Sequence, residues 1–546
     1  MSCFKISLLS VWKGEMGIRH ISSYLKQEGF IIDLLFCPQY ADNLYSKKQI
    51  DSIISTIGDC DFVGISCSTE MSKQRVVQIV NELKKIKKRP FIVLGGHAAT
   101  FTPEQALKYV DAVCIGEGEK PTLEIIKRLS SGTVNLTDIS NVWFNWNGKI
   151  LKNKIDIGPD LNIFPTVDYG LSGLQGDYYR INCFGNLIKI TSPEESVTDI
   201  DRITTKLTDP FFNKRKSVLF FCSSRGCVSQ CAYCQSPQYN KLCGGGKIKK
   251  RDVKLVIADL KKIISVHPNI GEVTFWDDDF FIRPINEIRY FAKEYFKKIH
   301  LPLFMYVSPK TMTEDKLASV AMAGNLTINM GVQSGSESVL KQIYNRVGQN
   351  NDLVIKGVTL LSKYVKKGLI NPPWIDFIVN NPWATPLDIK KDICLVQKMP
   401  GPFDLHIHSL ELLPNSLLFF RAVSEGKIKS DWDFSEKPLG LMATAEMQDF
   451  TEHIKELISG KHAYYTVFMY CLAGASSKFF QGSIRLDKIS WLLKRPTLEK
   501  KQYIIKAFFK NHRVKHYLKE RVDHGEKPKA LKNNIKAILL QKFNSN

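Results

Sequence analysis

Nowhere in the 546-residue chain do apolar residues run for the roughly 20 positions that a membrane-spanning helix needs; the longest run, around 463–475, fits a buried helix. The N-terminus lacks the basic segment and cleavage site of a secretory leader and passes directly into the strand-like KISLLS. With 13 cysteines and no export signal, a reducing, cytoplasmic setting is expected, where thiolates bind metal and seldom pair. Acidic residues are scarce: 54 stand against 76 Lys and Arg, a net charge of +22. The imbalance peaks in residues 500–546, with three acidic residues against thirteen basic ones. Such a surface favours anionic partners, whether nucleic acid, acidic lipid, a phosphorylated metabolite or an acidic peptide, and is equally compatible with a solvated basic helix.

A further absence carries more chemistry. In Ser224-Arg225-Gly226-Cys227-Val228-Ser229-Gln230-Cys231-Ala232-Tyr233-Cys234, three cysteines follow C-x3-C-x2-C, a spacing that 13 cysteines scattered over the chain would rarely produce, and no fourth joins the compact run. Soft thiolates suit zinc or iron-sulfur clusters, and closed sites of either kind use four protein ligands. Three ligands leave one iron of a [4Fe-4S] cluster open. The competing reading is a zinc knuckle completed by Cys222, Cys243 or a histidine.

Around this loop the sequence divides into four parts. With 44 % hydrophobic residues the chain can bury two or three cores. In residues 1–133 short apolar runs at 5–10, 31–36, 61–66, 91–95 and 112–115 alternate with amphipathic stretches such as 18–27 and 73–85. That pattern predicts a doubly wound parallel sheet with ligands at the carboxyl ends of its strands. Three strand ends carry small or polar residues: Ser66, Ser68 and Thr69 in GISCST, Gly95, Gly96 and His97 in LGGHAAT, and Gly116, Glu117 and Gly118 in IGEGE. Glycines there admit a large flat ligand and hydroxyls offer hydrogen bonds without filling space.

Residues 134–216 become irregular and read as a linker, with 171–216 long enough to be a lid. In 217–426 strand-like runs at 218–222, 272–276, 303–307, 327–332, 375–379 and 405–410 alternate with helices, predicting an incomplete β/α barrel with chemistry at the strand C-termini. These strand ends bear Asp277-Asp278-Asp279, Ser308-Pro309-Lys310, Gly331-Val332-Gln333-Ser334-Gly335-Ser336-Glu337, and Asn380-Asn381-Pro382-Trp383-Ala384-Thr385. Three adjacent carboxylates call for a neighbouring cation. Residues 427–546 read as a small basic helical domain, with helical periodicity at 446–457, 489–493 and 502–509 and with Tyr464, Tyr465, Tyr470 and Trp491 as pocket or core aromatics.

Taken together, the cysteine run with an aromatic before its last cysteine, the GIS…LGGHAAT…GEGE series, the Asp160–Pro165 stretch similar to a DLD-x-x-P connector, and the ordered strand-end motifs resemble the cobalamin-binding-domain-containing radical S-adenosylmethionine (SAM) proteins over about residues 1–425. The resemblance implies an α/β architecture: an N-terminal Rossmann-like cobalamin-binding sheet, a partial (β/α)6 radical SAM barrel and a helical C-terminal domain. It implies a [4Fe-4S] cluster on Cys227, Cys231 and Cys234. SAM would be held by Tyr233, Asp277, Asp278, Ser308, Gln333 and Ser334, and cobalamin by Ser66, Ser68, Thr69, Gly95, Gly96, His97, Gly116, Glu117 and Gly118. No Asp-x-His-x-x-Gly run is present, so cobalamin without a histidine lower ligand is implied. Lys310 stands where relatives have a Ser-x-Arg-like run, Asn380 replaces a glycine, and Ala384 replaces a glutamate.

The activity implied is methylation of an unactivated carbon of a small-molecule or peptide substrate, anionic by the charge argument. A 5′-deoxyadenosyl radical and methylcobalamin would do the chemistry, with an electron donor such as flavodoxin or ferredoxin. Ring closure or rearrangement on the same cofactors is the alternative. A methylthiotransferase is disfavoured, since Cys3, Cys37, Cys60, Cys67 and Cys114 mostly fall in or beside strands and read as core. A zinc-stabilised nucleic-acid-binding protein is the reading from another class.

Overall fold

The computed structural model describes residues 4–430 apart from 13–15, 39–43, 70–71, 134, 171–174, 183–184 and 191–216, and beyond that 433–436, 465, 497–510 and 528–544. Within the first half, β1 (Ile6–Ser10), β2 (Ile32–Phe36), β3 (Phe62–Ser66), β4 (Phe91–Gly95) and β5 (Ala112–Cys114) are buried strands separated by helices, among them Met16–Gln27, Lys47–Ile57, Lys73–Leu83 and Glu119–Ser130. These five are parallel in the spatial order β5-β4-β3-β1-β2. The order reverses between β1 and β3, and the carboxyl end of such a switch point is where open α/β sheets leave a crevice. Apolar residues cover both faces: Leu9, Val63, Ile65 and Leu94 pack with one set of helices, and Leu8, Phe62 and Val93 with the other.

The expectation of an irregular stretch after residue 133 is corrected by four strands. β6 (Val142–Trp146) and β7 (Lys149–Lys152) add antiparallel beyond β5; β8 (Tyr178–Ile181) pairs parallel with β2, and β9 (Leu187–Ile190) turns back on β8, giving nine strands. Exposed edge positions and a turn at Asn147-Gly148, both with positive φ, hid β6 and β7 from a search for apolar runs. A buried ion pair, Lys26 with Asp168 at 3.0 Å, fastens this segment to the first helix; Ser22 and Tyr178 hydroxyls also donate to Asp168.

The second half is a six-stranded parallel sheet in simple order: β10 (Ser217–Phe221), β13 (Ile270–Phe275), β14 (Leu303–Val307), β15 (Leu326–Gln333), β16 (Trp374–Val379) and β17 (Asp404–Ser409). A short ribbon, β11 (Ser224–Arg225) with β12 (Lys249–Lys250), flanks the cysteine loop. Helices Val253–Val266, Ile285–Lys298, Glu314–Ala321, Asn351–Lys366 and Pro386–Lys398 cover one face, where Phe275, Met305, Ile328, Phe377 and Leu405 are buried. On β16 and β17 burial alternates strictly, so Trp374, Asp376 and Ile378, with Asp404, His406 and His408, face the opposite, concave side. The partial (β/α)6 barrel read from the sequence is the fold observed.

The two sheets are joined by a clamped connector. The Arg251 guanidinium donates to the carbonyls of Leu161 and Phe164 at 2.6 and 3.0 Å while pairing with Asp259, and Asp252 N–H donates to Asn162. Helices Leu498–Lys510 and Pro528–Asn544 pack Ile504, Phe508, Ile535 and Leu539 into the barrel-side core, so this basic segment has an apolar face. The expected helix at 502–509 lies in the first of them. The expected helices at 446–457 and 489–493, with Tyr464, Tyr470 and Trp491, lie outside the described residues. Tyr465 is buried in the same core. Among the described residues no helix is long and apolar enough to cross a membrane.

Candidate active site

The cysteine loop leaves β10 at its carboxyl end and is held from three directions. Gly226 takes φ +98°, and a Cβ there would stand 2.5 Å from Asn240 Oδ1, whose amide donates to the Cys227 carbonyl at 2.7 Å. Beyond β15, Tyr344 O accepts from Ala232 N–H at 2.8 Å, Asn345 donates to Gln230 O, and Arg346 reaches Cys231 Sγ at 3.5 Å and Tyr233 Oη at 2.8 Å. Arg346 is itself fixed by Gly331 O and Gln349. Finally Gln235 donates to Pro414 O, and Leu418 N–H to Ala232 O.

Burial, with Asp278 nearby, raises the Cys227 thiol to about 12, and burial raises Cys234 to about 11. A tetrahedral zinc draws thiolates to about 3.8 Å of one another. Among the described residues the one trio of Cys, His or carboxylate donors within 4.8 Å is Asp376, His406 and His408, so the three cysteines sit wider than a zinc knuckle requires. Three thiols at wide spacing beside a fixed guanidinium fit an iron-sulfur cubane. Cys37, Cys60, Cys67 and Cys114 are buried in the two faces of the first sheet, as core cysteines.

The acidic run after β13 divides by role. Asp277 is buried and accepts from Ser223 N–H and Oγ and from Ser224 N–H, which pins the start of the cysteine loop. Asp279 accepts from Thr311 and from Phe281 N–H. Asp278 alone keeps an open side; burial of the rest of its surroundings, with Asp277 beside it, raises its pKa to about 6. Of the expected carboxylate pair, then, Asp277 is spent on the backbone.

Two more expected positions are turned inward. Ser334 is 2 % exposed and donates to Asp392 at 2.6 Å, whereas the exposed Lys310 donates to Val347 O. Ser308 is buried against Thr311. Gln333 is half-buried, with φ +72° and its amide lying against Gly331, and such a strained backbone is characteristic of functional rims. Asn380, in place of a glycine, takes φ +58°; asparagine is a side chain that tolerates this region, so the turn survives the substitution.

On the first sheet, the β3 and β4 ends meet closely. Ala98 N–H donates to Cys67 O, and Gly96, at φ +92°, would place a Cβ 2.6 Å from that oxygen. Nothing lies nearer than 4.0 Å to a Cβ on Gly95. Ser66 is buried, Ser68 and Thr69 are half-buried, and Thr69 shares a hydrogen bond with Ser72. The His97 ring stacks on Tyr239, from the helix Ser236–Cys243, at 5.5 Å and 21°. These are the features of a ligand edge: close backbone, small side chains and room.

The fifth strand end departs from the expectation. Gly116 packs on Cys243, Gly118 on Ile21, and Glu117 is taken up by Arg225 at 3.0 Å and Lys249 at 2.7 Å. Arg225 also reaches Glu119 at 2.6 Å. Burial pushes the Glu119 carboxyl up, and the adjacent guanidinium more than offsets it, holding the group below the usual range. This stretch therefore fastens the first sheet to the cysteine loop instead of lining an open edge. Sequence reading missed Arg225 because its partners lie 106 and 108 residues away.

Comparison with known proteins accords with both halves. The B12 binding domain family matches residues 14–126, and the Radical SAM superfamily matches residues 221–377. The chain thus carries one match to a B12 binding domain and one to the Radical SAM superfamily, and the cofactors these support are cobalamin, an iron-sulfur cluster and SAM. An uncharacterized methyltransferase, PH0819, of Pyrococcus horikoshii is 26 % identical over 335 residues, 60 % of this chain and 62 % of that protein. Bacteriochlorophyllide d C-8(2)-methyltransferase of Chlorobaculum tepidum is 24 % identical over 226 residues, 41 % and 38 % of the two chains. The chain therefore spans less than two thirds of the length of these relatives. In fold it is similar to the radical SAM methyltransferase TsrM of Kitasatospora setae, at TM-score 0.59 and 14 % identity over 80 % of each chain. It is similar also to the cobalamin-dependent enzyme OxsB, at TM-score 0.60 and 16 % identity over 99 % of this chain and 80 % of that one.

Proposed function

We propose that the protein is a cobalamin-dependent radical SAM methyltransferase acting on an unactivated carbon. The observation that carries this reading is the seating of one loop between two binding edges: Arg225 enters the carboxylates of the first sheet while Arg346 braces Cys231 from the second. The methyltransferase relatives support the same reading. When bound, the cluster with SAM supplies a carbon radical generator, and cobalamin supplies a methyl carrier.

Cys227, Cys231 and Cys234 would hold the cluster. Asp278, the carboxylate left open, would face the ammonium of SAM, with Tyr233, Gln333 and the buried Ser308 shaping the rim. Ser66, Ser68, Thr69, Gly95, Gly96 and His97 would bear on the corrin. Asp277, Ser334, Gly116, Glu117 and Gly118 position these groups from behind. A small-molecule or peptide substrate, anionic by the surface charge, and a flavodoxin-like or ferredoxin-like donor complete the reading. The limits 1–133, 134–216, 217–426 and 427–546 read from the sequence belong to the same proposal, with the strands up to residue 190 joining the first unit.

Anaerobically reconstituted protein given cobalamin, reductant, methyl-labelled SAM and charge-fractionated metabolites and peptides tests it. A labelled product formed together with 5′-deoxyadenosine is expected. A cyclised or rearranged product without label, or no SAM cleavage by cluster-loaded protein, would overturn it.

A further inference from the structure

The concave face of the barrel carries a second constellation, built without the cysteines of the loop. His406 and His408 stand two apart on β17 and so project to the same side. Asp376 is the direct cross-strand partner of His406 on β16, about 4.8 Å away in backbone spacing. One donor atom from each of the three lies within 4.8 Å of the others, and His408 Nε2 is 3.5 Å from Asp376 Oδ1.

The surroundings orient these groups. Asn329 Nδ2 donates to Asp376 Oδ1 at 3.2 Å, Trp374 stacks on the His406 ring at 4.1 Å and 19°, and the Asp404 carboxylate lies 3.6 Å from His406 Nε2. Side chains locked by such partners are the usual setting of a metal ligand set. All three donors are half-buried, and the Asp376 and Asp404 carboxylates beside the imidazoles favour a cation between them. Two imidazoles and a carboxylate form a borderline nitrogen-oxygen donor set, which suits zinc or ferrous iron and contains none of the soft thiolates that hold the cluster.

We infer that Asp376, His406 and His408 form a divalent-metal site inside the barrel, separate from the cysteine cluster. Zinc bound there would take ligand distances of about 2.0–2.2 Å. Three protein ligands leave a position free for an exchangeable carboxylate, amine or water, so the ion would anchor an anionic or chelating molecule within the barrel. The inference does not depend on the methyl-transfer reading.

Zinc provides the test. Full-length protein carrying its cluster and cobalamin is dialysed with zinc and challenged with a chromogenic chelator. One zinc per chain, beyond the iron and cobalt, is expected to resist the chelator. His408→Ala and Asp376→Asn should each weaken retention at least about 100-fold at unchanged iron and cobalamin content. X-ray absorption at the zinc edge of the unmutated protein should show imidazole nitrogen and oxygen ligands without sulfur. No retained zinc, a sulfur shell, or variants that hold zinc as tightly as the parent would overturn the assignment. If a variant also loses iron, the zinc-edge spectrum of the parent decides.

Discussion

Replacing Arg225 by methionine should loosen the joint between the two sheets, and the size of the loss follows from what is left behind. The guanidinium lies 2.6 Å from Glu119 and 3.0 Å from Glu117, whose side chains are 2 % and 3 % exposed. Glu117 keeps Lys249 at 2.7 Å, whereas Glu119 loses its charge partner in this cluster while still buried. Breaking a buried pair on one side costs about 3–5 kcal/mol, most of it the stranded charge. In a Glu119→Gln background that charge is gone, and the same replacement should cost about 1–2 kcal/mol. The double-mutant cycle then gives a coupling of about 2 kcal/mol, or about 30-fold in an equilibrium constant. Urea unfolding followed by tryptophan fluorescence, with hydrogen exchange at the amides of 116–119 and 224–227, measures it. Because the Glu119 carboxyl is held below its usual value, the stabilisation is complete above the ordinary glutamate pKa of about 4.3 and disappears as pH falls through the lowered native value. Coupling below about 0.5 kcal/mol at pH 7, or a coupling that grows in acid, would refute the reasoning.

Arg346→Gln removes a fixed cation from beside Cys231 and should lower the cluster reduction potential by about 100 mV, from a unit charge about 6 Å from the cluster centre at an effective dielectric of about 20; a redox titration followed by electron paramagnetic resonance would read the shift, and an unchanged potential would contradict it. Gly96→Ala should destabilise the first sheet by about 2–3 kcal/mol and weaken cobalamin binding at least about tenfold in an absorbance titration. Gly132→Ala, with comparable φ but no atom within 4 Å, should cost only about 1 kcal/mol, and equal effects at the two sites would count against the close approach to Cys67. Asp392 is raised to about 7 by burial, so the stability it confers below its unfolded pKa is lost as pH rises toward that value. Asp392→Asn should accordingly gain about 4 kcal/mol on the parent between pH 4 and pH 7 in denaturant melts and level off above; a pH-independent difference would remove this assignment.

What the chain discloses before folding is governed by range. Cysteine spacing, strand-end glycines and short apolar runs act within ten residues, and they locate the loop, the five parallel strands β1–β5 and the six barrel strands to within a residue or two. Long-range pairings leave no local mark. The commitment of Asp277 to Ser223 and Ser224, of Ser334 to Asp392, and of Glu117 to Arg225 and Lys249 became visible only when distant segments met. The barrel cluster is an intermediate case. The alternation in Asp404-Leu405-His406-Ile407-His408-Ser409 announces two histidines on one face of a strand, but their juxtaposition with Asp376 depends on the register between β16 and β17.

The order of strands in the first sheet bears on how this protein could be divided. The strands from residues 142–152 and 178–190 lie on opposite margins of one sheet, beyond β5 and beside β2. A fragment cut at residue 133 would lose both flanks at once and bare two rows of backbone amides and carbonyls, inviting self-association. An excised cofactor-binding piece should therefore extend through residue 190.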